Sequence, residues 1–331
     1  MSGISLKWKQ LYAPIQPDFD RMEARLRHIL MHSGSPGMRD VSAYLLTHPG
    51  KRLRPFFCLL SFKVVAPNQP ISDEVIELAV AFELLHMASL IHDDIIDHAD
   101  LRHNQPTIHQ KWGQEVAIPM GVYLYTLGLG CIARAKNLEV LRRVSHSVKI
   151  LCEGEVNQIF ERGNIHLNIK RHLVILKKKT AVLFSAAASS GALMAKANRD
   201  QMFGMHHIGT ALGMLFQITD DYLDVLGTEQ DLGKAIGQDI SMGDITLPIL
   251  LLIQSLPQDQ AGLIIQRLSQ KDALVLPMLQ SQLKGSVALA QMQDLAVLYR
   301  DRVTSILDQF PSSKYRDHVA LIAKTIYRRA W

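Results

Sequence analysis

Asp93, Asp94 and Asp97 stand in the stretch Leu90–Thr107, followed closely by Asp100, and Asp220, Asp221 and Asp224 repeat the same D-D-x-x-D spacing in Q-I-T-D-D-Y-L-D. Each triplet closes an apolar run that reads as a buried helix. On a helix, residues i and i+4 share a face and i+1 flanks it at about 100°. Each cluster therefore presents carboxylates in one direction near a helix C-terminus, where the helix dipole disfavours them. Carboxylates in apolar surroundings also lose hydration, so a cation must compensate. Oxygen-only donors suit hard divalent cations, and Mg²⁺ in particular takes a few carboxylates, retained waters and substrate phosphates. A solvated helix end explains one such triplet. Two copies, each ending a long apolar helix, favour metal binding.

Groups for the phosphates are also present. H-P-G-K-R-L-R-P offers Lys51, Arg52 and Arg54 ahead of a helix, K-K-K-T-A offers Lys177 to Lys179, and L-G-K-A-I-G-Q-D offers Lys234 in a glycine-rich loop. His86 precedes Asp93 by seven residues and so shares its helix face. Taken singly, each cation is surface charge and the histidine a core residue. Together with the acids they describe a cavity for a bis-anionic substrate on metals.

The elements that must position these residues are helices. Of 331 residues, 48% are hydrophobic and only 6% aromatic, a composition that favours a large helical core over a β-rich fold. Ser72 reads as an N-cap, with Asp73 and Glu74 in the first turn and an apolar pattern from Val75 to Ser89. Further helices are expected at about 115–135, 138–161, 171–196, 201–224, 246–255, 287–309 and 314–329. The longest loop is expected at 225–244, and loops of that size are usually functional. No period-2 strand set, linker or solenoid repeat divides the chain. A single helical domain over 1–331 is expected, with residues 1–35 as an N-terminal helical extension.

Other classes fit poorly. The net charge of +5 is spread, with no basic run interleaved with aromatics, which argues against nucleic acid and leaves small anionic substrates. The 116–133 stretch has the length of a membrane span, yet it carries Pro119, Gly121, Gly128 and Gly130 and reads as a core helix. Cys58, Cys131 and Cys152 have no metal-ligand spacing, and buried, reduced thiols in a cytoplasmic protein are expected.

With these motifs in hand, the chain resembles the all-trans isoprenyl (polyprenyl) diphosphate synthases from about Gly50 onward. The resemblance rests on G-K-R-L-R-P at 50–55, E-L-L-H-M-A-S-L-I-H-D-D-I-I-D at 83–97 and G-E-V-N-Q at 154–158. It continues through K-T-A at 179–181, F-Q-I-T-D-D-Y-L-D at 216–224 and L-G-K-A-I-G-Q-D at 232–239. Among subfamilies it is most similar to the catalytic component of two-component heptaprenyl diphosphate synthases. The resemblance implies an all-α bundle of mostly antiparallel helices around a central cavity. Asp93, Asp97 and Asp220 would hold Mg²⁺, three ions bridged by diphosphate, supported by Asp94, Asp221 and Asp224. Arg102, Lys179, Thr180 and Lys234 would hold the allylic diphosphate, and Lys51, Arg54 and His86 isopentenyl diphosphate. Gln217 would line the reacting centre. Ala88 and Ser89, just before the first cluster, would be the chain-length gate; their small size implies a product longer than C20, and the subfamily resemblance implies C30–C35, such as a menaquinone side chain. The implied assembly is a homodimer, or a heteromer with a small second subunit, touching membrane only through its lipid product.

Three positions depart from the family pattern. His103 replaces a second arginine that binds isopentenyl diphosphate, Val122 replaces the Asp of Gly-Asp-Tyr, and Asp244 stands where many members have Lys. These departures raise a non-catalytic or regulatory subunit as a rival. Both intact acid clusters argue for catalysis, and the intact second one argues against a terpene cyclase. A short-chain C15–C20 synthase is the other alternative; a metal phosphohydrolase lacks further ligands.

Overall fold

The computed structural model describes residues 11–32, 34–47, 50–102, 105–228, 236–270, 272 and 274–331. It is 79% helical, so the all-α class holds. The chain forms two compact units. The first holds the residues up to His146 together with Leu183–Gly209 and Ile306–Ile322; the second holds Ser147–Val182, Thr210–Ser305 and Ala323–Trp331.

In chain order the helices are α1 Gln16–His32, α2 Pro36–Thr47, α3 Leu53–Val65, α4 Asp73–Ile96, α5 Ile108–Trp112, α6 Gln114–Arg134 and α7 Leu138–Phe160. Next come α8 Ile169–Leu176, α9 Val182–Met194, α10 Arg199–Leu226, α11 Gln238–Ser241, α12 Leu247–Ser255, α13 Gln258–Ser269, α14 Val275–Leu283, α15 Val287–Leu307 and α16 Lys314–Tyr327. A two-residue antiparallel ribbon, β1 Leu101–Arg102 with β2 Gln105–Pro106, separates α4 from α5. Sequence periodicity passed over this ribbon and also α13 and α14. It also joined α8 to α9, whereas the structure interrupts that helix with a π-turn at Lys177–Ala181.

Helix α4 organises the first unit. Apart from a stripe of charged residues it is apolar on most of its circumference, and a helix of that kind must be largely buried; Val75, Leu78, Ala79, Phe82, Leu85, Ala88 and Ile91 are all buried. It packs against α1, α3 and α6. At Gly121 on α6 the His92 ring of α4 occupies the space a side chain would take, since a Cβ there would lie 2.3 Å from His92 Nε2. The uncharged 116–133 stretch is only partly the core helix expected of it. Burial covers 72% of the apolar window of α4 but 39% of that of α6, whose Ile118 and Val122 are about half exposed. Cys58 and Cys131 are buried as expected, but Cys152 is exposed, because its position on α7 points away from the core.

Candidate active site

In the first unit, Asp93 and Asp94 lie in the last turn of α4, and Asp97 caps it, its N–H bonding to the Asp93 carbonyl at 2.8 Å. Asp93 and Asp97 are partly exposed while Asp94 is buried. The chain then turns through β1 and brings Arg102 back onto Asp94. Arg102 Nε donates to Asp94 Oδ1 at 2.8 Å, and Nη2 lies 2.7 Å from the same oxygen. Burial pushes the Asp94 carboxyl above the usual carboxylate range, with Arg102 pulling the other way. Upstream on α4, Glu83, His86, Leu90, Asp93 and Asp97 follow 3- and 4-residue steps and form one stripe. Ala88 is buried, and the Ser89 hydroxyl donates to the His86 carbonyl at 2.9 Å.

The three cations of G-K-R-L-R-P separate. Arg52 turns inward to Glu83 (2.6 Å) and Glu23 (2.9 Å) and is buried. Lys51 and Arg54 remain partly exposed. The Lys51 carbonyl accepts from the Tyr12 hydroxyl, and the Arg54 guanidinium lies 4.7 Å over the Phe184 ring. Of the three, Arg52 is the one that turns away from solvent into the interior.

In the second unit the K-T-A, G-E-V-N-Q and second D-D-x-x-D motifs come together. Thr180 Oγ1 donates to Gln217 Oε1 at 2.7 Å, and Gln217 Nε2 donates to Asp221 Oδ1 at 2.8 Å. Lys179 Nζ pairs with Glu155 Oε2 at 2.9 Å. The backbone of the π-turn reaches α7 at Gly154, where a Cβ would lie 2.6 Å from the Lys179 nitrogen. Gly154→Ala is therefore expected to displace Lys179, costing about 1–3 kcal/mol of stability. It should lower both Tm and turnover; an unchanged Tm would show that the contact yields freely. Asp224 is held by the loop beyond it, its carbonyl accepting from Gly237 N–H at 2.7 Å. Asp220 Oδ1 accepts from Arg329 Nη1 at 2.9 Å, and that guanidinium also lies 5.4 Å over Phe216.

Asp244, which stands in place of a family lysine, has its own partners. Its carboxylate accepts from Gln158 Nε2 at 2.7 Å and Arg162 Nε at 3.1 Å. Burial raises its pKa above the ordinary carboxylate value, with Arg162 and Gln158 opposing. The folded chain thus keeps this proton to higher pH than the unfolded chain does. The group's contribution to stability is full below the ordinary carboxylate value and is lost as pH rises through the raised one. Asp244→Asn is expected to flatten that fall in a Tm-against-pH series. An unaltered slope would exclude Asp244 as its source.

Lys234 and His103 lie outside the described residues. Val122 is half exposed and Tyr123 partly buried. Partners that escaped sequence reasoning include Glu23, Glu83, Glu155, Gln158, Arg162 and Arg329. Glu83 carried a signal, being an acid inside the apolar E-L-L-H run, where the argument that singled out the aspartates applies equally. Arg329 carried none, since 109 residues separate it from Asp220.

The donor set fits a hard divalent ion. Asp221 is 2% exposed, and its Oδ2 has no hydrogen-bond partner among the described residues; His172 Nε2 lies 3.8 Å away, beyond bonding distance. A buried, acceptor-only oxygen of this kind needs a donor or a cation. Among the described residues no three His, Cys, Asp or Glu side chains form a ready-made cage. Water and substrate oxygens would have to complete the shell, as is usual for Mg²⁺.

Comparison with known proteins bears on the whole chain. Residues 35–279 match the family described as polyprenyl synthetase. The sequence is 31% identical to heptaprenyl diphosphate synthase component 2 of Bacillus subtilis, over 98% of this chain and 91% of that protein. It is 32% identical to the same component from Geobacillus stearothermophilus, over 98% and 99%. The fold matches the crystal structure of heptaprenyl diphosphate synthase from Staphylococcus aureus with a TM-score of 0.88 at 31% identity, covering 96% of this chain and 98% of that one. It matches polyprenyl synthase from Caulobacter crescentus, complexed with calcium and isoprenyl diphosphate, with a TM-score of 0.90 at 28% identity, covering 99% and 98%.

Proposed function

The chain belongs to the polyprenyl synthetase family and is a prenyltransferase, and from that premise we propose that it condenses isopentenyl diphosphate with an allylic diphosphate to a C30–C35 all-trans product. The observation that carries the reading is the pair of D-D-x-x-D clusters, the second bonded through Gln217 to Thr180. Asp93, Asp97 and Asp220 would hold Mg²⁺, with Asp94, Asp221 and Asp224 in support. When bound, the ions would supply Lewis-acid neutralisation of diphosphate charge.

The chain's own residues do the rest. Lys179 and Arg102 neutralise charge developing on the departing pyrophosphate, which lowers the barrier to allylic C–O cleavage. Glu155 aims Lys179 and Asp94 aims Arg102. Lys51, Arg54 and His86 hold isopentenyl diphosphate so that its double bond attacks C1 of the allylic cation. The released pyrophosphate then takes the proton whose loss forms the trans double bond. Gln217, oriented by Thr180 and Asp221, presents its amide dipole to the cation. His103 and Lys234 complete the proposed diphosphate contacts.

The chain-length reading draws on the name carried by the Bacillus subtilis and Geobacillus stearothermophilus relatives and on small Ala88 and Ser89. The word component in that name supports a separately encoded second subunit; a homodimer is the other assembly, and half-exposed Ile118 and Val122 on α6 favour a protein contact. A cytoplasmic enzyme is the matching location. The test is incorporation of radiolabelled isopentenyl diphosphate onto farnesyl diphosphate by the pure chain, with Mg²⁺ or chelator, followed by product sizing with and without a candidate subunit. Equal incorporation in chelator would overturn the metal reading, and a product stopping at C20, after a single condensation, under both conditions would overturn the length.

A further inference from the structure

We infer that the buried ion pair between Arg52 and Glu83 is a positioning device for isopentenyl diphosphate, holding Lys51 and Arg54 in register with His86. The inference rests on the reading of those three residues as ligands of that substrate. Three observations carry it.

The first is backbone conformation. Arg52 caps α3 in the left-handed region, at φ 48° and ψ 38°, with its carbonyl accepting from Phe56 N–H at 3.2 Å. This region costs a side chain with a Cβ roughly 1–2 kcal/mol; His98, Lys136 and Lys196 also adopt it, but they are exposed, whereas Arg52 is buried. Its guanidinium is drawn into the interior by Glu83 on α4 and Glu23 on α1, which fixes the direction of the turn. The sharp turn sends Arg52 inward while its neighbours Lys51 and Arg54 stay partly exposed.

The second is anchorage. The Tyr12 hydroxyl holds the Lys51 carbonyl from one side and the two carboxylates hold Arg52 from the other. Glu83 lies three residues before His86, on the same stripe of α4. The ion pair therefore ties the loop to the helical turn that carries His86.

The third is that stability alone does not explain the pair. Arg52 Nη2 and Glu83 Oε2 are buried with no hydrogen-bond partner among the described residues. A partly satisfied buried pair is commonly no better for stability than apolar side chains of the same volume. A pair retained under that cost is explained by the geometry it sets.

The test is steady-state kinetics on the full chain, varying each substrate at saturating concentrations of the other. Glu83→Gln is expected to raise KM for isopentenyl diphosphate about tenfold, leaving KM for the allylic substrate and kcat within about threefold. Arg52→Lys should do the same, because an ammonium cannot reproduce the two-carboxylate fork. The double variant Arg52→Gly with Glu83→Leu removes both charges and gives the left-handed turn to glycine, so it should fold with unchanged circular dichroism and still show the raised KM. Equal changes in both KM values, or a wild-type KM in the folded double variant, would overturn the inference. Lys51→Ala separates it from the reading beneath: if that change leaves KM for isopentenyl diphosphate unaltered, the ligand assignment falls. If Lys51→Ala raises KM and Glu83→Gln does not, the positioning role alone falls.

Discussion

Asp220→Ala is expected to lower turnover by roughly three orders of magnitude while leaving the helical spectrum unchanged, and Asp93→Ala should match it. The magnitude follows from the several kcal/mol that a metal ion contributes to stabilising transition-state charge, at about 1.4 kcal/mol per factor of ten. The small structural effect follows from exposure. The Asp220–Arg329 pair is partly open to solvent, its side chains 30% and 14% exposed, and pairs of that kind contribute about 1 kcal/mol at most. Asp220→Ala also leaves the Arg329 guanidinium facing the vacated position, which repels a cation. Asp220→Asn keeps an acceptor for Arg329 but loses the charge, so it should be nearly as inactive. Turnover within tenfold of wild type in Asp220→Asn would mean that hydrogen bonding to Arg329, rather than charge, is what Asp220 contributes.

Ser89→Phe is expected to change the product from C30–C35 to C15–C20 with little loss of isopentenyl diphosphate consumption. Ser89 lies one helical turn before Asp93, and its hydroxyl folds back onto the His86 carbonyl, so nothing bulky stands at that position. A phenyl ring there meets a growing prenyl chain by plain steric exclusion. Ala88 is 4% exposed and packed, so Ala88→Phe should also destabilise the fold, by about 1–3 kcal/mol for overpacking. The two variants separate a gate from a packing site. Mass spectrometry of the extracted products decides, and an unshortened chain from a folded Ser89→Phe enzyme would place the limit elsewhere along the helices.

Much of the site was legible because its parts are local strings. A D-D-x-x-D at the end of an apolar run states its own geometry, since helical spacing alone puts the carboxylates on one side. The end of α4 and the start of α6 were readable within a residue or so for similar reasons. Partnerships across long separations could not be read. Arg52 counted as one of three phosphate cations until Glu83 and Glu23 claimed it. Lys179 and Thr180 were recognisable, but their orientation by Glu155 and Gln217 depends on where α7 and α10 pack. Asp244 looked like a defect in a pattern, and its meaning came from Gln158 and Arg162. Cys152 went astray for a related reason: apolar neighbours in sequence do not fix which side of a helix faces water.

The π-turn at Lys177–Ala181 has a consequence for how such proteins diverge. A π-turn is an α-helix carrying one additional residue, and it rotates the downstream segment by about 100° relative to an uninterrupted helix. The turn begins with a run of three identical lysines. Deleting any one of the three gives the same sequence, in which K-T-A still reads intact. That shortened chain would close an ordinary α-helical turn, and the segments on its two sides could not both keep their present packing. Either Lys179 and Thr180 would leave Glu155 and Gln217, or Ile169–Leu176 would rotate out of place. A descendant that had lost one lysine would pass every inspection of its motifs and yet have lost the packing that sets Lys179 and Thr180 against Glu155 and Gln217. In this helix, loss of function can be silent at the level of the signature, and the number of lysines is heritable information in its own right.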